Sequence, residues 1–566
     1  MTLFWKRTVG VIALALLSAC ALLSFTPDRS ARAPLLDGFG APSLAITTAT
    51  PQARQWFDQG MAQAYGFNEV EAVRAFKAAL AADPTCAMCA WGVAYQLGPN
   101  INAPQRGDLS EAVKHIGHAV HHMSNVSATE KALIEALAVR YAHGSATREL
   151  APLLDARCGK GGGGNKAHPL DIAYADKMRA LADLYPNDPD VVSMYAEAEL
   201  IATQDDWWDA KTGKPAGRVG EVADRLERAL LSQPNHTGLN HYLIHTVDAV
   251  AVAHRAVPAA DRLGRLAPKS PHLLHMPSHT YVNVGRYGDA TRVNEEALAA
   301  DAALAEAQKA QGFAVSKDWR GHNGRFLWYA ALMQGRAELA LQTVRASAQR
   351  AGNREGDFPD YVRALPLLTL LRLERWEDVL REPQPSSDKG LAVIFSESSR
   401  GVAFARSGQT SAAKLALERL EPSAAAALKK HAGDDDEKKM FRAFVEGPLH
   451  RLRAEVAAAD ARFDDAITHQ TAGVKAVAEV DSNEPPMLAA GARLALGELQ
   501  LRAGRAAEAE KTFRQDLAER PGSGWALRGL AHAVRTAGQG EQASQFTAQK
   551  DTAWAQADDK VKTLLR

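Results

Sequence analysis

The sequence predicts an all-α fold, a stack of helical hairpins repeating about every 34 residues. Three observations carry this reading. Alanine is abundant, aromatic residues make up only 7% of the chain and β-branched runs are scarce, a composition suited to closely packed helices. Small residues and prolines recur at fixed offsets, most clearly over residues 53–86 and 490–523. Short punctuations such as Gly335-Arg336 and Arg462-Phe463-Asp464 fall where one helix of a hairpin would turn into the next.

The first element is a leader. Lys6 and Arg7 precede a short apolar run, Val9 to Leu17, which is too short to span a bilayer and fits the apolar region of a secretory signal. The run ends Leu17-Ser18-Ala19-Cys20. Small residues before a cysteine at this distance resemble the lipobox of bacterial lipoproteins. That resemblance implies removal of residues 1–19, lipid on Cys20 and a membrane attachment. Ala21 rather than Asp follows, which in that family implies an outer-membrane lipoprotein facing the periplasm or another extracytoplasmic membrane surface. An ordinary signal peptide cut nearby is the alternative. Residues 20–50, rich in Pro, Ala, Ser and Thr, read as a flexible lipidated tether.

The repeats follow. Counted from residue 53, Trp56, Gly60, Ala72, Phe76, Ala79 and Pro84 occupy positions 4, 8, 20, 24, 27 and 32. Positions 8 and 20 are small where two antiparallel helices touch, and proline ends the second helix. Counted from 490, Leu496, Gly497, Gly504, Ala509, Phe513 and Pro521 fall at 7, 8, 15, 20, 24 and 32, and a further copy starts at 524. Units from 237, 271 and 321 are weaker but in phase. The pattern resembles the tetratricopeptide repeat (TPR). The resemblance implies a right-handed TPR-like α-solenoid over residues 51–556 with a concave groove that binds a peptide or partner protein, followed by a C-terminal tail, 557–566. Insertions are expected near 143–168, which holds Gly159-Lys160-Gly161-Gly162-Gly163-Gly164, near 203–220, with Trp207-Trp208-Asp209, and near 302–320.

Charge narrows the function. Lys plus Arg and Asp plus Glu number 66 each and the pI is about 7.3, so no basic surface calls for nucleic acid. The glycine-rich loop lacks the Lys-Ser/Thr of a phosphate loop. With Cys20 taken by lipid, Cys86, Cys89 and Cys158 remain. Cys86 and Cys89 open a helix, and an exported chain can oxidise them to a disulfide; redox or metal binding stays open. Ala90 in place of His speaks against covalent haem. His118 and His122 lack a partner pair one repeat away and read as an exposed helix face.

Histidines set this chain apart from a plain scaffold. His241, His245, His272, His275 and His279 fall within 39 residues. His241 and His245 are four apart, as are His275 and His279, so each pair shares a helix face. The pairs lie 34 residues apart, one repeat, and both occupy positions 5 and 9 of a first helix. Under the TPR resemblance these positions, with 2 and 12, line the groove. His272 and His322 take position 2 and Asp248 takes position 12. Imidazoles brought together by one repeat's translation suit a transition metal: copper, iron or zinc. Four His, or two with Asp248, would hold one ion and six would hold two. Pro277, between His275 and His279, is expected to kink the second helix and misalign its pair. Glu197, Glu199, Trp207, Trp208 and Asp209 are candidate flanking or lid groups, and Asn240, Tyr242, Tyr281 and Asn323 are candidates to orient the imidazoles. The leading expectation is a metal-binding protein, a metal handler or metal-dependent oxidoreductase. The alternative is an adaptor that holds a peptide in the groove without metal.

Overall fold

In the computed structural model, described residues run from 32 to 563, apart from 105, 145–166, 204–206, 210–211, 317, 386–389, 434, 479–484 and 489–490. The leader, Cys20, Cys158 and most of the glycine-rich insertion therefore lie outside the described residues. The described chain is a right-handed TPR-like α-solenoid. The helices that position the site are α1 (Pro51–Tyr65), α2 (Glu69–Ala82), α3 (Ala87–Gln96), α4 (Ser110–His122), α5 (Ala128–Arg140), α6 (Pro169–Leu184), α7 (Pro189–Thr203), α8 (Val219–Ser232), α9 (Thr237–Thr246), α10 (Val257–Leu266), α11 (Pro271–His275), α12 (Pro277–Asn283), α13 (Tyr287–Ala310) and α14 (Arg320–Gln334). More helices continue the stack, from Ala337–Ala351 to Asp559–Lys562. None of the described helices is long and apolar enough to cross a membrane.

Local chemistry sets the helix starts. Thr50 accepts the Ala53 N–H at 3.1 Å, with Pro51 at the first position of α1. Ser127 and Glu130 form a reciprocal capping box on α5. The starts of α3, α9 and α11 are capped by Cys86, His236 and Ser270. Each cap satisfies an amide that the helix leaves open. Cys86 and Cys89 are disulfide-bonded, with Cα atoms 5.3 Å apart.

The stack turns back on itself twice. In the first turn the α1–α2 hairpin meets α7, α9 and α13: Tyr65 donates to Asp190 at 2.5 Å, and Gln308 donates to Glu71 at 2.8 Å. His236 ties the same corner. Its Nδ1 accepts from the Leu239 amide at 3.1 Å, so its Nε2 carries the hydrogen that faces Asp190 at 3.2 Å. In the second turn Trp525 and Trp554 donate to the Leu332 and Met333 carbonyls of α14 at 2.9 and 3.2 Å. The turns meet where Gly285 lies against Pro521 and Gly522, so closely that a side chain on Gly285 would strike backbone.

Two segments differ from expectation. Residues 35–50 run along the first turn instead of hanging free. Ser43 donates to Asp190 at 2.5 Å, Thr47 to Glu130 at 2.5 and 2.7 Å, and Thr48 to Asp83 at 2.7 Å. Their short polar side chains match a row of buried carboxylates, which low hydrophobicity alone does not reveal. At the other end, Val561 is buried and Asp558 donates its amide to Gly335 at 3.0 Å, so the described part of the C-terminal tail packs on the solenoid.

Candidate metal centre

The site forms where the first superhelical turn closes. Helix α9 carries His241 and His245, α11 carries His272 and His275, α12 carries His279 and α14 carries His322. The six imidazoles converge as two triads. In one, His241, His245 and His272 bring their ligand atoms within 4.8 Å of one another; in the other, His275, His279 and His322 do the same. The triads adjoin: ring centroids are 6.3 Å apart for His245 and His279, and 6.2 Å for His272 and His275.

Sequence spacing grouped His241 and His245 with His275 and His279. The structure instead completes each pair with a position-2 histidine from the following unit. Pro277 does interrupt the ladder, dividing α11 from α12, but Met276 keeps helical angles (φ −51°, ψ −38°). His275 and His279 stay on one face, with Nε2 atoms 3.0 Å apart. Proline here removes a hydrogen bond without separating the pair.

The hydrogen atoms of the second triad can be placed. Asn294 donates its amide N–H to the Ala290 carbonyl at 2.7 Å, so its Oδ1, 2.7 Å from His275 Nδ1, must accept. Asp248 accepts from Asn283 at 2.7 Å and from His279 Nδ1 at 2.7 Å. In the neutral rings both Nδ1 atoms carry the hydrogen and both Nε2 atoms present lone pairs. Two lone pairs 3.0 Å apart repel unless a metal ion or a proton lies between them. In the first triad His241 Nε2 lies 3.1 Å from both His245 Nε2 and His272 Nε2. Tetrahedral ligation at about 2.0–2.1 Å sets nitrogens roughly 3.3 Å apart. The His241–His245, His241–His272 and His275–His279 pairs are close to that spacing, and the third ring of each triad lies within 4.8 Å.

Burial favours neutral rings, the ligating form. His241 and His275 are 0% exposed. Desolvation pushes His241 down to about 3, opposed by the Tyr65 backbone carbonyl and furthered by His279. His275 is held well below the usual range by burial first, then by the neighbouring His322 and His279, with Asn294 opposing.

One phenylalanine backs each triad. Phe67, in the α1–α2 turn with φ +49°, lies 4.5, 5.5 and 4.9 Å from the rings of His241, His245 and His272. Phe326 lies 4.7, 4.4 and 5.2 Å from His275, His279 and His322. Trp319 stacks on His272 at 4.5 Å. Sequence reasoning missed Phe67, Phe326, Trp319 and Asn294. The spacing of Phe326 and His322, four residues apart on α14, was the one available signal.

Asp248, expected among the ligands, accepts from Nδ1 of His279, the ring nitrogen turned away from His275. Most of the other flanking candidates are engaged elsewhere: Glu197 accepts from Tyr95, Glu199 from Arg218 and Asp209 from Thr212, while Tyr281 donates to Asp261 and Trp208 to the Thr246 carbonyl. Asn240 binds the Pro234 and His236 carbonyls and Arg262, and Asn323 is buried with no side-chain hydrogen bond. Tyr242 stacks on His241 at 5.4 Å. Trp207 lines a cavity of about 490 Å³ onto which His245, His272, His279 and His322 open.

No protein-family model and no curated protein sequence matches the chain. Among solved structures it is similar to IFIT1. A monomeric IFIT1 mutant with m7Gppp-AAAA aligns at 12% identity and a TM-score of 0.32, covering 82% of this chain and 90% of that one. The human IFIT1 dimer with m7Gppp-AAAA aligns at 11% identity and a TM-score of 0.31, covering 91% and 96%. These values transfer nothing to the chain beyond what its own helices show.

Proposed function

We propose that this protein is a lipid-anchored, extracytoplasmic metalloprotein whose two His triads hold a pair of transition-metal ions, and that it works as a metal-dependent oxidoreductase. The observation that carries the reading is the facing Nε2 lone pairs of His275 and His279, fixed by Asn294 and Asp248. Such outward hydrogen bonds orient metal-ligating imidazoles and raise their basicity.

The donor set favours copper. Neither triad contains a carboxylate or a thiolate, whereas di-iron centres in helical bundles draw on several Glu residues. All-imidazole ligation suits copper or zinc, and copper binds more tightly in the usual order of divalent ions. Three protein ligands per ion leave positions open toward the cavity, as a catalytic site requires. When bound, such a pair supplies two-electron redox chemistry. The protein holds the rings by Asp248 and Asn294 and keeps water from their rear with Phe67 and Phe326. An adaptor groove would present its side chains to a peptide, yet His241 and His275 are sealed.

Export and lipidation rest on Lys6-Arg7, the apolar run and Leu17-Ser18-Ala19-Cys20, and the Cys86–Cys89 disulfide accords with an oxidising compartment. The test is elemental analysis of untagged protein after copper loading and desalting. Two ions per chain are expected, with loss from one triad in His241→Ala and from the other in His275→Ala. Retention of less than about 0.1 ion per chain contradicts the reading, since the tight binding expected of imidazole sites would survive desalting.

A further inference from the structure

The cavity in front of the triads has a chemical character of its own. Four of the six imidazoles open onto it, while His241 and His275 lie behind. Its walls include two indoles. The Trp207 ring N–H is occupied by the Leu200 carbonyl at 3.3 Å. The Trp319 amide is held by Asp301 at 3.1 Å while its ring lies over His272. Ile101 and Met276 add apolar surface, and the volume of about 490 Å³ suits a small organic molecule.

Charge decides which molecule. No Lys or Arg is among the described residues that line the cavity. Its acids, Asp248 and Asp318, are engaged by His279 and Asn283 and by Arg320. A carboxylate or phosphate ester would find no Lys or Arg to pair with among the described lining residues. A flat aromatic ring would lie against indole, and an uncharged one would meet no like charge, from the bound ions or from the acids. To reach an ion's open position it also needs a donor atom, which a ring hydroxyl supplies on losing its proton.

We infer that this cavity is the substrate site for small uncharged aromatic diols of the catechol class, oxidised by dioxygen. The inference rests on the metal reading above. The reaction balances as two catechols plus one dioxygen giving two ortho-quinones and two waters. Each catechol loses two electrons and two hydroxyl protons. The O–O bond breaks, and the four electrons and four protons form two water molecules. Trp207 serves as a wall that sets affinity.

The experiment uses the full chain, copper-loaded and desalted, with 4-methylcatechol as probe, following oxygen uptake and quinone absorbance with free copper chelated. Expected is two quinones per dioxygen consumed. Trp207→Leu should keep its copper and its helical spectrum while KM rises about ten-fold with little change in kcat, and Trp207→Phe should restore KM. A chain that holds two coppers but forms no quinone overturns this inference and leaves the metal reading standing. A Trp207→Leu enzyme with unchanged KM overturns the placement of substrate against the indole. A chain that retains no copper overturns the metal reading, and this inference with it.

Discussion

At the scale of single residues, Asp248 and Asn294 matter as much as the histidines they hold. Each takes the far nitrogen of a ring and so fixes which nitrogen faces its neighbours. Asp248→Asn should keep the fold and weaken metal binding by about 10–100-fold, read by competition with a chelator of known affinity; unchanged affinity would remove Asp248 from the account. Outside the site, His115 is buried against α4's neighbours and held down to about 4 by desolvation, with Glu111 opposing. Its folded pKa lies below the unfolded value, so between about pH 6.5 and 4 the unfolded chain binds a proton that the folded chain refuses. Stability should therefore fall as pH drops through that window, by up to about 1.4 kcal/mol per unit from this residue. Urea unfolding of wild type and His115→Gln at pH 7 and pH 5 checks this: the variant should lose less. The histidines themselves were legible because a four-residue spacing repeated after 34. Phe67 was not, because its ring reaches the site only through closure of a turn that no local pattern encodes.

At the scale of the element, one packing device appears at both ends of the stack. Phe76 is wedged between Gly60 and Gly92, and Phe513 between Gly497 and Gly529. A Cβ on Gly60 would lie 2.5 Å from Phe76, and one on Gly497 would lie 2.5 Å from Phe513. Helices touch there with an aromatic edge filling the space a side chain would need. Gly60→Ala and Gly497→Ala should each cost about 1–3 kcal/mol, measured as a shift in denaturant midpoint, and neither should alter metal content. This much was readable, since small and aromatic residues sat at positions 8 and 24 in both units. The break at Pro277 was readable too, but its consequence was not. Proline divides α11 from α12, yet Met276 has helical angles and His275 and His279 still share a face.

For the whole molecule, closure replaces the open superhelix that a repeat pattern suggests. The α1–α2 hairpin is locked to α7, α9 and α13, and residues 35–50 fasten across that seam through Asp83, Glu130 and Asp190. Deleting residues 32–49 would remove donors from each of these carboxylates, leaving Asp83 with Thr85, Glu130 with Ser127 and Asp190 with Tyr65 and His236, at about 1–3 kcal/mol for each hydrogen bond lost. A chain beginning at Thr50 should therefore melt lower and hold metal more weakly, since Phe67 sits on the hairpin the segment secures. Calorimetry of the two forms checks it. Sequence gave no sign of this seam, because its partners are far apart in the chain and joined by polar contacts rather than by period.

The central claim is that two all-histidine triads bind neighbouring ions. X-ray absorption at the copper edge of the loaded, untagged protein tests it most directly. The account predicts about three nitrogens per copper near 2.0 Å, outer-sphere scattering from imidazole rings and a copper–copper vector that disappears in His275→Ala. Coordination by sulfur or mainly by carboxylate oxygen, or a metal–metal vector that persists in His275→Ala, would contradict it.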